Sequence, residues 1–157
     1  LPTGRFTFEG FLSTNKKSRR DHLEQVKNET RTIILYEAPH HLVGTLQELY
    51  QALGNRRMTL CRELTKKYET AFRTTIEDLI AFYKDQKPLG ECVLVIEGRS
   101  RKEMEQESQE SWRDISIEEH MAIYENQGIA RKEAMKMVAK DRGVTKRDIY
   151  QALLLQK

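Results

Sequence analysis

The sequence predicts an α/β protein with a mixed five-stranded sheet and flanking helices, followed by a small all-α helix-turn-helix domain. Two continuous apolar runs, at residues 32–36 and 92–96, are typical of strands that are covered on both faces. Helical patterns lie between the strand patterns of residues 1–99, and one connection is short, which indicates a mixed α/β sheet. Only helical patterns follow residue 114, so we predict a separate domain there.

Length and composition are those of a soluble globular protein. The 157 residues suffice for one ordinary domain or two small ones, and 38% are hydrophobic and 32% charged. No apolar run approaches the roughly 20 residues that a membrane-spanning helix needs, so we predict a cytoplasmic protein with no membrane partner. The two cysteines, Cys61 and Cys92, fall inside strand patterns and are expected to be reduced thiols. The chain opens at Leu1 directly into a strand pattern, which suggests a piece of a longer protein.

The first strand pattern leads into a basic cluster. Residues 5–11 alternate, which places Phe6 and Phe8 on one predicted face and Phe11 on the other. The helix that follows is expected to end near residue 28. Basic side chains at a helix N-terminus suit phosphate, with a solvated basic loop as the alternative. The cluster consists of Lys16, Lys17, Arg19 and Arg20.

A sharp corner follows the second strand pattern. The apolar run 32–36 stops at Glu-Ala-Pro, residues 37–39, and Pro39 suits the first turn of the next helix. That helix is expected to run to residue 53, since Gly54 ends it. Strand, corner and helix therefore form a unit that is suited to a ligand.

Two neighbouring histidines, His40 and His41, do not predict a metal site. Adjacent residues on a helix face different directions, and no cysteine or carboxylate pattern completes a zinc set. We therefore predict no metal.

The most charged stretch is residues 59–70, reading Thr-Leu-Cys-Arg-Glu-Leu-Thr-Lys-Lys-Tyr-Glu-Thr. Strands over 57–63 and 68–75 form a hairpin-like pair around it, and a helix over 76–83 precedes the last strand. Charges at a strand end are a common way to build a site. The alternative is a polar loop whose surface ion pairs contribute little to stability. The charged candidates are Arg62, Glu63, Lys66 and Glu69.

The last third of the chain changes character. Residues 100–114 are rich in Glu and are predicted to be an exposed acidic linker, with Trp112 as the only large aromatic. Residues 115–157 show three helical patterns, over 117–126, 130–142 and 145–155. They form the predicted helical domain.

The final two helical patterns predict a helix-turn-helix. Gly143 permits the turn, and Thr145 with Asp148 resembles a capping box. Lys146 and Arg147 begin the second helix within a basic excess that suits phosphate contact. A purely structural helical hairpin is the alternative.

Three segments of the sequence resemble one family. Residues 6–12 read Phe-Thr-Phe-Glu-Gly-Phe-Leu ahead of the basic cluster, and residues 34–41 read Ile-Leu-Tyr-Glu-Ala-Pro-His-His. Residues 61–69 read Cys-Arg-Glu-Leu-Thr-Lys-Lys-Tyr-Glu, with Gly-Glu-Cys-Val-Leu-Val-Ile-Glu-Gly at 90–98. Their order and spacing resemble the C-terminal half of the ribosomal RNA small subunit methyltransferase I family. That family belongs to the tetrapyrrole-methylase-like, S-adenosylmethionine-dependent (class III) methyltransferases, and the helical end resembles the small domain that ends the same proteins.

The resemblance implies 2′-O-methylation of a cytidine ribose in 16S small-subunit ribosomal RNA. It implies S-adenosylmethionine as cofactor, the 30S subunit as partner and a homodimer of the full-length protein. The cofactor is expected at the corner Tyr36, Glu37, Ala38 and Pro39. RNA is expected at Lys16, Lys17, Arg19, Arg20, Arg62, Lys146 and Arg147. Deprotonation of the ribose hydroxyl is expected to be assisted by Glu63, by Glu69 or by a Lys66 of lowered pKa.

One departure from the family is large. Its N-terminal half, with a Gly-rich loop and a share of the cofactor site, is missing, so we expect the chain alone to be inactive. Two alternatives stay open: an RNA- or DNA-binding helix-turn-helix protein with an α/β dimerisation platform, and a tetrapyrrole methylase of the same fold. The segments around residues 36–39 and 62–66 favour the ribosomal RNA methyltransferase over the helix-turn-helix binding protein.

Overall fold

The computed structural model describes residues 1–155, which divide at residue 99 into an α/β unit and a helical unit. The last two positions of the predicted helical domain therefore lie outside the described residues. In chain order the α/β unit contains β1 (Phe6–Phe11), α1 (Lys16–Val26), β2 (Thr32–Glu37), α2 (Leu42–Leu53), β3 (Arg57–Arg62), β4 (Thr70–Thr75), α3 (Ile76–Phe82) and β5 (Cys92–Ile96). The helical unit contains α4 (Arg101–Ser111), α5 (Ile117–Asn126), α6 (Arg131–Asp141) and α7 (Lys146–Leu155).

The five strands form one mixed sheet in the order β1-β2-β5-β3-β4. Only β1 and β2 pair in parallel, and the other three pairings are antiparallel. β3 and β4 form the predicted hairpin-like pair. The predicted mixed five-stranded α/β fold is therefore confirmed.

The core of the α/β unit lies on one face of the sheet. Alternation along β2 buries Ile33 and Leu35 against the helices, while Ile34 between them stays half-exposed. The apolar stripe of α2 supplies Leu42, Leu46 and Leu49 to the same core, and each of these side chains is fully buried. Helices α1 and α3 also contribute to it, so one face of the sheet is covered and the other stays open within this unit.

A β-bulge changes the face of one aromatic side chain in β1. The pairing with β2 shifts by one residue between Phe8 and Gly10, and Gly10 adopts a left-handed φ of 63°. Phe11 consequently pairs with Tyr36 and lies on the same face as Phe8, whereas strict alternation had predicted the opposite face.

The helix after β2 begins later than predicted. His41 N and Leu42 N donate hydrogen bonds to Ala38 O and Pro39 O at 3.1 and 3.3 Å, so a separate turn precedes α2. Pro39 therefore lies in this turn and not in the first turn of the helix. The reason is that the corner folds around the buried Glu37 described below.

The helical unit has its own small core. Met121, Ala134, Val138 and Ile149 pack together from α5, α6 and α7. Residues 101–111, within the segment predicted to be an acidic linker, form α4 and group with this unit. A turn joins α6 to α7; its helix-turn-helix character stays a prediction.

Candidate functional site at one edge of the sheet

The charged segments of the α/β unit meet at one edge of the sheet, which we call the charged edge. β1 and β2 are parallel and both end there. Cys92 at the start of β5 pairs with Glu37 at the end of β2 and with Arg62 at the end of β3. The loops that follow β1, β2 and β3 and the segment that precedes β5 therefore lie side by side.

The loop after β3 is fastened to the start of β5. Glu63 N donates a hydrogen bond to Glu91 O at 3.0 Å, and Glu91 N donates to Glu63 Oε1 at 2.8 Å. The backbone is left-handed at Glu63 (φ 50°) and Thr65 (φ 66°), which is uncommon outside glycine. Thr65 N donates to Glu69 Oε2 at 2.6 Å. Glu63 and Glu69 thus hold the shape of this loop.

Lys66 is a cation at this edge. Its Nζ donates to Glu91 Oε2 at 2.8 Å and lies 3.5 Å from Glu63 Oε2. The hydrogen bond with Glu91 raises the pKa of Lys66, so the lowered pKa considered from the sequence is not found. The pKa of Glu63 is lowered, chiefly by the hydrogen bond from the Glu91 backbone.

The pKa of the Cys92 thiol is affected by charged residues from three segments of the charged edge. Burial is the main cause that raises the pKa of its thiol to about 11, and the carboxylates of Glu37 and Glu63 raise it further while Arg62 opposes them. Arg62 also donates from Nε to Leu89 O at 2.9 Å. Cys92 is therefore a protonated thiol at neutral pH.

We expect Gly90→Ala to lower the free energy of unfolding of the α/β unit by about 2 kcal/mol. Gly90 has a φ of 80°, and an added Cβ would lie 2.5 Å from Glu63 Oε1 and 2.7 Å from Glu63 Cγ. The matched control is Gly10→Ala, since Gly10 has a φ of 63° and no heavy atom within 4 Å of an added Cβ. Urea denaturation followed by circular dichroism compares them, and equal losses would contradict the contact between Gly90 and Glu63.

The corner after β2 sends its side chains in opposite directions. Tyr36 is on the open face of the sheet, 41% exposed, whereas Glu37 is on the covered face and 5% exposed. Ala38 N donates to Glu37 Oε1 at 2.8 Å. The structure therefore places the side chains of Tyr36 and Glu37 on opposite faces, and the assignment of the four residues to S-adenosylmethionine stays a prediction. Those residues are Tyr36, Glu37, Ala38 and Pro39.

Glu37 is the centre of a network below the charged edge. Thr45 Oγ1 donates to Glu37 Oε2 at 2.5 Å, and Arg19 donates to Thr45 Oγ1 at 2.6 Å and to Glu48. Arg19, predicted to contact RNA, instead ties α1 to α2 with only 16% of its side chain exposed. Sequence reasoning missed Thr45 and Glu48. The available signal was a threonine on the apolar stripe of α2, because a buried hydroxyl needs a partner.

The other three basic residues of the cluster are exposed at the start of α1. Asn15 caps the helix by accepting hydrogen bonds from Lys17 N and Ser18 N, both at 3.1 Å. An open pocket of about 380 Å³ lies between the starts of α1 and α2, and Lys16, His40 and His41 border it. The exposed basic residues are Lys16, Lys17 and Arg20.

The helical unit presents the two remaining basic candidates. Lys146 and Arg147 form the first turn of α7, where Lys146 is half-buried and Arg147 exposed. Asp148 N donates to Thr145 Oγ1 at 3.2 Å, and Thr145 N donates to Asp148 Oδ2 at 2.8 Å. The predicted capping box is therefore confirmed.

No three His, Cys, Asp or Glu side chains in residues 1–155 are arranged to hold a metal ion. Over the same residues, no helix combines the length and the apolar character that crossing a membrane requires.

The sequence profile of the tetrapyrrole (corrin/porphyrin) methylases matches residues 2–80, which hold β1 to β4 and the beginning of α3. The chain belongs to the tetrapyrrole methylase family. Three of the four segments that meet at the charged edge lie within the match.

Curated relatives of this chain carry the name ribosomal RNA small subunit methyltransferase I, which confirms the resemblance. The protein of Halalkalibacterium halodurans is 44% identical over 150 residues, covering 96% of this chain and 51% of the relative. Those of Bacillus subtilis and Synechocystis sp. are 42% and 41% identical, covering 94% and 98% of the chain. The chain spans about half the length of these relatives, 50% and 54% in the latter two.

Proposed function

We propose that this chain forms one part of an S-adenosylmethionine-dependent methyltransferase that acts on small-subunit ribosomal RNA. Its target is the 2′-hydroxyl of a cytidine in 16S ribosomal RNA, as the family resemblance implies. The observation that carries the proposal is the charged edge, where segments distant in sequence meet in a chain whose relatives are named for this rRNA. The helix-turn-helix character, cytoplasmic location and homodimer stay predictions.

RNA backbone is bound by cations of the charged edge and of α7. Lys66 remains protonated beside Glu91, which suits contact with a phosphate. Further exposed positive charge lies at the start of α1, after the loop that follows β1, on Lys16, Lys17 and Arg20. Lys146 and Arg147 supply phosphate contacts from the helical unit. Arg62, at the end of β3, also contacts the RNA backbone, and its Nε donates a hydrogen bond to Leu89 O.

The ribose hydroxyl loses its proton to Glu69. S-adenosylmethionine, when bound, supplies the methyl group, whose C–S bond breaks as the O–C bond to the ribose forms. Lys66 is protonated, and Glu63 is held by the Glu91 backbone, so both position the loop. Glu69 also accepts a backbone hydrogen bond, from Thr65 N, but it is exposed whereas Glu63 is half-buried, so Glu69 takes the proton.

The chain alone is inactive in this proposal. The Glu37 carboxylate and the Ala38 N–H are already hydrogen-bonded within the α/β unit, so we expect most of the cofactor contacts to come from the part of the relatives that this chain does not match. The cofactor then lies between two halves.

A chimera tests the proposed reaction. This chain replaces the matching 147-residue segment of the Bacillus subtilis relative. We expect the chimera to transfer tritiated methyl groups from S-adenosylmethionine to 30S subunits that lack the modification, and mass spectrometry to place the methyl group on a cytidine ribose. A folded chimera that binds 30S subunits without methylating them, or that methylates a base, would contradict the proposal.

Two variants of the chimera separate binding from chemistry. Glu69→Gln is expected to lower kcat about 100-fold or more with little change in KM, because the proton acceptor is lost. Lys66→Ala is expected to raise KM for 30S subunits with kcat nearly unchanged. Lys27→Ala, at the far end of α1, is the matched lysine control. A kcat unaffected by Glu69→Gln would remove Glu69 from the reaction.

A further inference from the structure

The open face of the sheet carries a row of exposed aromatic side chains. Phe6, Phe8 and Phe11 of β1 are 55%, 56% and 64% exposed, and Tyr36 of β2 is 41% exposed. None of them belongs to the core beneath α1–α3. The bulge in β1 brings Phe11 onto this face, so all four rings share it. We call these four residues the aromatic row.

The rings of the aromatic row form a platform. The Phe8 and Tyr36 centroids lie 5.0 Å apart with planes at 71°, and those of Phe11 and Tyr36 lie 5.6 Å apart at 62°. Alternate residues of a strand are separated by about 6.6 Å. Exposed aromatic side chains on a sheet are the means by which proteins stack the bases of single-stranded RNA.

The platform continues across the sheet to an arginine. Register places Phe8, Ile34, Val95, Thr59 and Arg73 in one line over all five strands, with side chains on the same face. The charges of Glu69 and Arg73 both act on this face: burial raises the pKa of the Cys61 thiol, Glu69 raises it further and Arg73 lowers it. The line spans about 19 Å, the width of five strands.

Two arginines without an ion-pair partner in the described part of the chain, Arg5 and Arg73, border this face. Arg5 is exposed immediately before β1, and neither it nor Arg73 makes an ion pair with any of residues 1–155. Arg57 is neutralised by Glu97. A second copy of the chain placed face to face would bring these arginines near their own counterparts, which repel them, whereas a polyanion would be attracted by both arginines.

We propose that the open face binds a single-stranded segment of RNA, with bases stacked on the aromatic row and phosphates toward Arg5 and Arg73. The inference rests on the proposed function, which supplies RNA as the substrate class, and it specifies that the bound segment is unpaired. The charged edge at the ends of β1 and β2 receives the same strand, because Phe11 and Tyr36 lie beside it.

Fluorescence anisotropy of a fluorescein-labelled single-stranded RNA of about 12 nucleotides measures this binding with the 157-residue chain. We expect Phe6→Ala/Phe8→Ala to weaken binding by about 25-fold or more, since stacking of each base contributes at least about fivefold. The slope of log Kd against log salt stays unchanged in that variant, whereas Arg73→Gln lowers it by about 0.7. Tyr50→Ala, an exposed aromatic on α2, is the matched control and keeps wild-type affinity.

Phe8→Trp keeps a stacking ring and is expected to retain affinity, which separates loss of stacking from loss of folding. Wild-type affinity in a folded Phe6→Ala/Phe8→Ala variant overturns this inference and leaves the proposed methyl transfer intact. Equal affinity for a duplex of the same sequence also overturns it. Light scattering tests whether a second copy of the chain covers the face instead. If the wild type is a dimer and Phe6→Ala/Phe8→Ala is a monomer, the face is a dimer interface, and the inference of RNA binding is overturned. A methylation-active chimera together with any of these results shows that only the inference has failed.

Discussion

Glu37→Ala is expected to lower the free energy of unfolding of the α/β unit by about 3 kcal/mol. Glu37 is 5% exposed and accepts hydrogen bonds from Ala38 N and Thr45 Oγ1, with Arg19 3.9 Å away. Removing the carboxylate leaves the Thr45 O–H and the Ala38 N–H without an acceptor, and it removes a negative charge beside Arg19. The corner after β2 and the start of α1 both lose contacts with the Glu37 carboxylate.

Two controls identify the cause. Glu37→Gln keeps an oxygen acceptor and is expected to lose about 1.5 kcal/mol, because only the charge is removed. Glu48→Gln changes a carboxylate that is 47% exposed and is expected to cost less than 1 kcal/mol. Urea denaturation by circular dichroism gives the free energies, and hydrogen exchange of residues 32–53 locates the loss. If Glu37→Ala costs no more than Glu48→Gln, the network does not anchor the corner.

Acidification is expected to destabilise the helical unit through His120. This side chain is fully buried and stacks on Trp112, with ring centroids 3.7 Å apart. Arg142 Nε donates to His120 Nδ1 at 3.2 Å, so Nδ1 is the acceptor and the ring is neutral with its proton on Nε2. That nitrogen lies 3.3 Å from Asp141 Oδ2, and the Tyr124 hydroxyl donates to the same oxygen.

Protonation of Nδ1 removes the bond from Arg142 and places two cations together. Burial is the main cause that lowers the pKa of His120, and Arg142 lowers it further while Asp141 opposes both. The unfolded chain titrates near pH 6.5 and therefore binds more protons than the folded unit between that pH and the lower folded pKa. Stability is fully present above about pH 6.5 and falls by up to about 1.4 kcal/mol per pH unit as the pH drops through this window.

Trp112 is the only tryptophan, so its fluorescence follows the unfolding of the helical unit in urea at pH 7.5 and 5.5. His120→Asn keeps an acceptor and does not titrate, so its stability should be flat over this range. The capping carboxylates Glu119 and Asp148 also have lowered pKa values, through bonds from Ser116 and Thr145, but they lose stability only below about pH 4.5. A His120→Asn profile as steep as the wild type would contradict the assignment to His120.

Local patterns predicted most elements of the fold. The alternation in β3, the stripe of α2 and the capping box of α7 depend on neighbours within a few residues, and the structure has each of them. The bulge at Gly10 and the later start of α2 were missed, because each depends on contacts with another element. The helix α4 was missed because its glutamates indicated a solvated linker.

The candidate site was predicted less completely than the fold. The segments were identified, but Tyr36 and Glu37 were assigned to one ligand although neighbouring strand residues face opposite sides. Arg19 was grouped with exposed cations, whereas Thr45 and Glu48 draw it inward. The lowered pKa considered for Lys66 was wrong because Glu91, distant in sequence, stabilises its charge.

By itself the sequence determined the elements, their order and the segments that carry charge, since periodicity, caps and turns are local properties. Only the tertiary structure decided which of those charges reach solvent and which satisfy one another. The meeting of Glu37, Cys92 and Arg62 at one edge comes from pairing between strands far apart in the chain. The alignment of the four aromatic rings on an open face likewise required a register shift that no local pattern encodes. Burial and pairing set the ionisation and direction of a side chain, and both depend on neighbours that sequence distance does not reveal.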